Sequence, residues 1–373
     1  MAFLFNYLVS SMIVSKKQFF KRQITLSEIG KVGQQKLQEA SVLIVGCGGL
    51  GGVIGVSLAA SGIGNIHLVD FDTIHISNLH RQFFYALDDV GKHKAEVLSE
   101  FIKKRAPFSE VTFNNDSITK ENVFDIISEY DVIVDGTDSI PTKYLLNDAC
   151  VLKNKPLVYG SLYKFDGYVS TFNILKKDGS YSSNLRDAFP EITSDIPNCE
   201  EAGTLNSIVT IIAAQQVNEV LKLIAEIGTP LTDELLIYNS LQNTQLKIKL
   251  TSNFLKDRIA KLYKVETYFN PACVSQNIDW LISAVELKKI IGDSNLQLIA
   301  VLPNLKVPFK VDQTISIEEF DVATFFVDKS KTYVMICQKG FTSYNVTKQL
   351  KEKYPTLNVL SLTGGISSYL WRN

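Results

Sequence analysis

The chain lacks any pair of cysteines in the C-x-x-C spacing, although it contains five cysteines: Cys47, Cys150, Cys199, Cys273 and Cys337. Scattered cysteines in an odd number do not make a disulfide framework, and they are typical of a protein in a reducing compartment. We therefore expect a cytoplasmic location.

The chain also lacks an excess of charge of either sign. It has 38 lysines and arginines against 39 aspartates and glutamates, a formal net charge of −1. No overall positive field is available to attract a polyanion, so we expect no nucleic-acid partner.

The apolar run at the N terminus is too short for a membrane span. Met1–Val14 is mostly apolar and has no charged side chain, but it falls short of the length that crosses a bilayer. No positive charge precedes it, as one would in a signal peptide. We interpret residues 1–20 as an N-terminal extension and expect no membrane contact.

Apolar residues are abundant, 46% of 373, which is enough to build the cores of two domains. Buried-strand patterns alternate with helical patterns as far as residue 159, which predicts a Rossmann-like, doubly wound, mostly parallel α/β sheet. The strands are predicted at Ser41–Val45, Ile66–Val69, Val111–Asn114, Asp131–Val134 and Leu157–Tyr159. After Gly167 the pattern favours antiparallel strands that extend the sheet, and the polar stretch Lys176–Asn198 predicts a mobile loop. We place this domain at residues 21–268, a linker at 269–277 and a smaller α/β domain at 278–373.

A glycine-rich turn follows the first strand and opens a helix. It reads Gly46-Cys47-Gly48-Gly49-Leu50-Gly51. Glycines let the backbone approach a phosphate, and the helix N-terminus offers free N–H groups and a positive dipole end. Asp70 ends the second strand, about 20 residues further on, where a carboxylate can accept ribose hydroxyls. The pattern predicts a nucleotide site.

Charged residues follow in an order that suits chemistry on a phosphate. Arg81 and Lys94 can reach a polyphosphate from the carboxyl edge of the sheet, and Asp138 ends the next strand, where a carboxylate can hold Mg²⁺. Hydride transfer needs none of these charges, so a nicotinamide-dependent oxidoreductase on the same fold is the weaker alternative.

Taken together, these motifs resemble the MoeB/ThiF family, the bacterial relatives of ubiquitin-activating enzymes. The resemblance covers roughly residues 20–250 and rests on Arg22-Gln23-Ile24, Gly33-Gln34-Gln35-Lys36-Leu37, the glycine turn, LVDFD, SNLHRQ, GKHK and GTDS. It implies an enzyme that binds ATP and Mg²⁺ and adenylylates the C-terminal Gly-Gly carboxylate of a ubiquitin-like sulfur carrier. The product would serve molybdopterin or thiamine-thiazole synthesis.

The resemblance also implies roles for single residues. Asp70 would bind the ribose, and Asp138 would hold the magnesium ion. The nucleotide would be lined by Gly46, Gly48, Gly49 and Gly51.

Further residues would serve the phosphates. Asn78 and Arg81 would face them, and Lys94 would lie by the α and β phosphates. Arg22 matches an arginine that in this family reaches the active site of the other subunit, which implies a homodimer. Asp72 has either a supporting role in the site or a structural one.

Two departures from the family concern cysteine. Many members bind zinc through two C-x-x-C pairs, but the corresponding segments here, residues 181–184 and 270–276, hold only Cys273. One thiolate cannot build that site, so we predict no structural zinc. Cys199 stands where family members carry a cysteine, and it is either a sulfur-handling group or a small buried residue.

The second domain contains a strand, a short loop and a helix around Cys337. Backbone N–H groups and a helix N-terminus around such a cysteine favour an anionic sulfur. With Gly364-Gly365 and Trp371 downstream, the segment resembles a rhodanese-like domain. This implies that Cys337 carries sulfur to the activated carboxylate, the alternative being an inert docking domain.

Two further hypotheses stay open for the chain as a whole. One is adenylation of a peptide terminus in natural-product biosynthesis, and the other is a scaffold that binds a ubiquitin-like partner without catalysis.

Overall fold

The computed structural model describes residues 15–191, 203–266, 268, 277–302, 305–316, 320–338 and 340–370. The chain divides into two compact units, Met1–Phe269 and Asn270–Asn373. The predicted N-terminal extension up to residue 14, Cys199 and Cys273 lie outside the described residues.

The first unit is built on an eight-stranded sheet. In chain order its strands are β1 (Ser41–Val45), β2 (Asn65–Val69), β3 (Glu110–Asn114), β4 (Val132–Asp135), β5 (Leu157–Tyr163), β6 (Asp166–Phe172), β7 (Glu234–Asn239) and β8 (Thr244–Lys249). Their spatial order is β3-β2-β1-β4-β5-β6-β7-β8. The pairs from β3 to β5 are parallel and those from β5 to β8 are antiparallel, which confirms the predicted fold class.

The strand order reverses between β1 and β4. From β1 the chain first moves outward to β2 and β3, and then returns to place β4 on the other side. Ligands of open α/β sheets bind at the carboxyl ends of the strands at such a switch point.

The helices of the first unit cover both faces of this sheet. They are α1 (Lys16–Phe19), α2 (Lys21–Ile24), α3 (Gly30–Glu39), α4 (Gly49–Ser61), α5 (Lys94–Lys103), α6 (Val123–Ser128), α7 (Ile140–Lys153), α8 (Leu185–Ala188), α9 (Asn206–Ala225) and α10 (Lys256–Val265). Side chains alternate along a strand, so Val42 and Ile44 of β1 join the core under α4, α5 and α9. Leu43 and Val45 join the core under α6 and α7.

Helix α9 has the length and hydropathy to cross a membrane, and it is the one such helix in the described part of the chain. It packs against α4, β5 and β6, and Val209, Ile212 and Ala213 are buried in the core. Its apolar character is therefore explained by its place at the centre of the first unit.

The polar stretch after β6 is not the mobile loop that the sequence predicts, as far as residue 191. Ser182–Arg186 is buried, and Asn184 caps the short helix α8. Asn184 stands where the first zinc-binding pair of the family would end, and its Nδ2 donates to the carbonyl of Phe254 at 2.9 Å. Hydrogen bonds within the protein order residues 182–186, whose polarity reflects buried polar contacts, whereas residues 177–180 of the same stretch are exposed.

A buried ion pair lies beside the same segment. The Arg186 guanidinium donates to both carboxylate oxygens of Asp148, and the Tyr268 hydroxyl donates to Asp148 Oδ2 at 2.5 Å. The two charged side chains are at most 2% exposed. The cluster joins α7, α8 and the last described residue of the unit. Among the described residues no group of histidine, cysteine and acidic side chains is arranged to hold a metal, and the absence of zinc stays a prediction.

The second unit is a smaller parallel α/β sheet. Its strands are β9 (Leu281–Ile282), β10 (Leu296–Ala300), β11 (Gln313–Thr314), β12 (Thr332–Ile336) and β13 (Val359–Leu362), in the order β11-β10-β12-β13-β9. Its helices are α11 (Ala284–Ile290), α12 (Phe341–Lys353) and α13 (Gly365–Leu370). The alternating residues of β12 divide between two cores, one on each face. The sequence pattern missed β9 and β11, which are two residues long.

Replacing Arg186 by methionine should destabilise the first unit. The Asp148 carboxylate would remain buried without its cation, and breaking a buried pair in this way costs about 3–5 kcal/mol. Urea-induced unfolding would measure the change. The matched control is Lys247→Met, which removes an exposed ion pair with Glu234 and should cost at most about 1 kcal/mol. Equal losses in the two variants would contradict this view of the cluster.

Candidate active site

The glycine turn after β1 packs directly against the loop after β4. Gly46 has φ of +91°, and a Cβ atom built on it would lie 2.8 Å from the carbonyl carbon of Gly136. A Cβ atom on Gly51 would lie 1.7 Å from the carbonyl oxygen of Gly46. Neither position accepts a side chain, so the backbones of β1, α4 and β4 meet at the switch point.

Helix α4 presents its N-terminus at the same place. It begins at Gly49 and is 13 residues long, and its N-cap residue Gly48 supplies no side-chain hydrogen bond. The first N–H groups of a helix need an outside partner, and the helix dipole favours an anion there. These features fit a phosphate group.

Asp70 ties the glycine turn to the end of β2. Its Oδ2 accepts a hydrogen bond from the Cys47 N–H at 2.6 Å, and its Oδ1 accepts one from the Asp72 N–H at 2.8 Å. Burial raises the pKa of Asp70, although Lys94 and the two N–H groups act in the opposite direction. The carboxylate therefore shapes the turn, and its remaining lone pairs leave the predicted ribose contact open.

Lys94 begins helix α5 and forms an ion pair with Asp72, with 2.7 Å between Nζ and Oδ2. Burial lowers the pKa of Lys94, but the charges of Asp70, Asp72 and Asp138 outweigh it, so the net shift is upward. The lysine therefore remains a cation at neutral pH. Asp72 holds the Lys94 ammonium group in place, and this contact is compatible with either of the two roles predicted for it.

Asp138 lies in the loop after β4, with an exposed side chain. The loop is held from behind by Asp135, which is fully buried and accepts a hydrogen bond from the Thr137 N–H at 3.0 Å. Lys143 Nζ lies 3.0 Å from Asp135 Oδ2 and donates to the Gly160 carbonyl at 2.7 Å. Asp138 is thus an exposed carboxylate on a braced loop. Ser139, where the family usually has asparagine, accepts from the Thr142 N–H and caps α7.

The segment after β2 covers the glycine turn. Asn78 is buried, and its Oδ1 accepts a hydrogen bond from the His75 N–H, which closes the short turn Ile76–Asn78. Arg81 is half-buried and donates to the Ser77 carbonyl at 3.1 Å, and its own carbonyl oxygen would lie 3.3 Å from a Cβ on Gly49. Arg81 stands beside the turn, and the predicted phosphate contacts of both residues stay predictions.

The sequence analysis did not predict the residues that hold the Asp138 loop and the glycine turn in place. Asp135 and Lys143 brace the Asp138 loop, and the Tyr85 hydroxyl lies 2.7 Å from the Cys47 carbonyl oxygen and 3.2 Å from that of Lys94. A usable signal was present for the first two, because an aspartate ends a buried strand and a lysine follows one turn into the next helix. Nothing in the local sequence indicates the contacts of Tyr85.

Arg22 does not reach the glycine turn of its own chain. It is exposed on α2, and the adjacent Gln23 donates to the carbonyl of Ser61, the last residue of α4. The glycine turn lies at the opposite end of that helix, about 20 Å away for 13 residues.

The three cysteines within the described residues fall into two groups. Cys47 and Cys150 are fully buried in the cores of the first unit, as expected of packing residues, and burial raises the pKa of both thiols. Cys337 follows β12 in the second unit and is 2% exposed. Its Sγ accepts from the N–H groups of Gly340 at 3.1 Å and Ser343 at 3.3 Å, so the expected ring of backbone donors is present.

Comparison with known proteins gives a family match in the first unit and a longer match that runs through both units. Residues 20–257 match the ThiF family. A sulfur carrier protein adenylyltransferase of Thermus thermophilus is 37% identical over 236 residues, which are 63% of this chain and 87% of that protein. The adenylyltransferase and sulfurtransferase MOCS3 of Culex quinquefasciatus is 31% identical over 352 residues, which are 94% of this chain and 75% of that protein. The second match runs through both units.

Solved structures show the same fold at lower identity. Escherichia coli MccB is 22% identical, with a TM-score of 0.56 over 65% of this chain and 72% of that one. The crystal structure of MccB with ATP is 24% identical, with a TM-score of 0.53 over 65% of this chain and 73% of that one. The resemblance inferred from the motifs is confirmed, and the chain belongs to the ThiF family.

Proposed function

We propose that this chain is an adenylyltransferase that activates the C-terminal carboxylate of a ubiquitin-like sulfur carrier protein with ATP. The observation that carries the proposal is the arrangement at the switch point. An uncapped helix N-terminus, a buried lysine cation and an exposed carboxylate, Asp138, share one edge of the sheet. The relatives named adenylyltransferases support it. A nicotinamide-dependent oxidoreductase has no such support.

The reaction needs positioning and charge neutralisation more than a reactive side chain. A carboxylate oxygen of the carrier tail forms a bond to the α-phosphorus, and the bond to the bridging oxygen breaks, so that pyrophosphate leaves with the electron pair. The products are an acyl-adenylate and pyrophosphate. Glycine-turn and α4 N–H groups would bind phosphate oxygens, and Lys94 would neutralise charge beside them.

Asp138 is the residue that would hold Mg²⁺. An exposed carboxylate on a braced loop at the phosphate end of the site fits a hard cation with oxygen ligands. The ion, when bound, supplies Lewis-acid stabilisation of the phosphate charge.

The second unit extends this function to sulfur. We propose that it is a rhodanese-like domain whose Cys337 carries a persulfide. Its outer sulfur would attack the acyl carbon of the acyl-adenylate, AMP would leave, and an acyl disulfide would form. A second thiol would then attack Cys337 Sγ, so that the thiocarboxylate leaves with the electron pair and a disulfide remains on Cys337. Molybdopterin or thiamine-thiazole synthesis is the corresponding pathway, and the cytoplasm is the compartment. Activation of a peptide terminus for a natural product remains the second candidate, but it gives a sulfur-binding loop no task.

The decisive experiment mixes the full chain with candidate carriers ending in Gly-Gly and with Mg-ATP. We expect pyrophosphate release and a carrier with an added AMP, both dependent on carrier and ATP together. Asp138→Asn should lower pyrophosphate release by roughly 100-fold or more, because charge stabilisation by the metal is worth several kcal/mol. The control Asp125→Asn changes an exposed carboxylate on α6 and should leave the rate unchanged. Full activity of the Asp138 variant would contradict the metal role.

We also propose that the active form is a homodimer in which Arg22 serves the partner's site. The distance of Arg22 from its own glycine turn supports this. Arg22→Ala and Asp138→Asn should each be inactive alone. When the two proteins are mixed and exchange subunits, about a quarter of the sites would regain both residues, and activity should recover to that level. No recovery from a mixture shown to contain mixed dimers would rule out the shared site.

Cys337→Ser separates the two activities. The variant should release pyrophosphate at the parental rate, since the sulfur loop takes no part in attack on the phosphate. It should form no thiocarboxylate on the carrier, which the carrier's mass reports. Cys199→Ser tested in parallel decides between the two cysteines, and a Cys337 variant that still makes thiocarboxylate would remove Cys337 from the reaction.

A further inference from the structure

A chain of hydroxyl groups leads from the Cys337 sulfur into the core of the second unit. Ser343 Oγ lies 3.3 Å from Cys337 Sγ, and Ser361 Oγ lies 2.8 Å from Ser343 Oγ. Ser361 Oγ also lies 3.3 Å from the carbonyl oxygen of Gly340, to which it can donate. Both serines are fully buried, so their hydrogen bonds depend on protein partners.

Apolar packing alone does not explain why a serine stands at position 361. It lies on β13 opposite Met335 of β12, and Val359 and Leu362 of the same strand are buried apolar residues. Burying a hydroxyl without a partner is unfavourable, so a serine at this position needs the bonds that it makes here.

The hydroxyl chain can satisfy the sulfur in two protonation states. With a neutral thiol, the Cys337 S–H donates to Ser343, Ser343 donates to Ser361, and Ser361 donates to the Gly340 carbonyl. With an anionic sulfur, Ser343 turns its O–H to the sulfur, and Ser361 donates to Ser343. Rotation of two O–H bonds converts one pattern into the other, because a hydroxyl both donates and accepts.

We propose that Ser361 is a positioning residue for sulfur transfer at Cys337. By donating to Ser343 Oγ, it lets Ser343 direct its own proton to an anionic sulfur and strengthens that bond through cooperative polarisation. The proposal rests on the sulfur-carrying role proposed above for Cys337, and it adds a residue that touches neither the sulfur nor a substrate.

The step can be followed with thiosulfate as the sulfur donor. The Cys337 thiolate attacks the outer sulfur of thiosulfate, a new S–S bond forms, and the old one breaks as sulfite leaves with the electron pair. Cyanide then takes the terminal sulfur as thiocyanate and regenerates the thiolate. Before loading, the negative charge is on Cys337 Sγ, which the reversed hydroxyl chain contacts. In the persulfide the charge lies on the outer sulfur, and it returns to Sγ when cyanide takes that sulfur and Sγ leaves as the thiolate.

The test compares full-length variants in loading of one sulfur atom, read by mass, and in thiocyanate release. Ser361→Ala should lower the rate at saturating thiosulfate by about tenfold, with little change in KM, as expected for one weakened hydrogen bond to a charged group. Ser361→Thr keeps the hydroxyl and should recover most of the rate. Thr347→Val is the matched control, because Thr347 is a fully buried hydroxyl on α12 whose Oγ1 has no hydrogen-bond partner within the described residues.

A double variant separates positioning from general loss of structure. Ser361 acts through Ser343, so Ser343→Ala with Ser361→Ala should be no slower than Ser343→Ala alone, whereas independent damage would multiply. Ser361→Ala within twofold of the parent, or losses equal to those of Thr347→Val, would overturn the proposal. A parent protein that takes no sulfur from thiosulfate would instead refute sulfur transfer at Cys337, and the role of Ser361 with it. If Ser361→Ala does not fold, Ser361→Cys, which keeps the size and a weak donor, should show an intermediate rate.

Discussion

Contact between two backbones, without side chains between them, is the constraint on which the first unit depends. The turn after β1 and the loop after β4 approach so closely that Gly46, Gly51 and Gly136 have no room for a Cβ atom. This contact brings the N-terminus of α4 and the Asp138 loop to one edge of the sheet. Any larger side chain would separate the groups that the proposed reaction needs together.

The charged side chains around this contact differ in how deeply they are buried. Asp138 is exposed at the surface, whereas the buried side chains of Asp135 and Lys143 behind it neutralise each other. Lys94 is surrounded by more negative than positive charge, which keeps it protonated. The site thus combines a lysine cation held by an ion pair with an exposed carboxylate, a combination that suits a polyphosphate and its metal ion.

The two units share one local arrangement of a strand, a loop and a helix, and in each unit it would face a different anion. In each, a buried strand runs into a short loop with a glycine of positive φ and then into a helix of 13 residues. In the first unit the donors are available to a ligand. In the second they are directed at Cys337 Sγ, which is covalently attached, so the loop binds its own sulfur and needs a hydroxyl chain to follow changes in its charge.

The sequence by itself determined the order of strands and helices, the glycine turn and the acids at strand ends. These features are local, because hydrophobic period and glycine content act over a few residues. Tertiary structure alone decided what those residues touch: that Asp70 bonds to the turn at Cys47, that Tyr268 completes the Asp148 pair, and that Ser361 stands behind Ser343. Such partners come from distant parts of the chain, and only the packing of strands and helices selects which of the many polar residues meet.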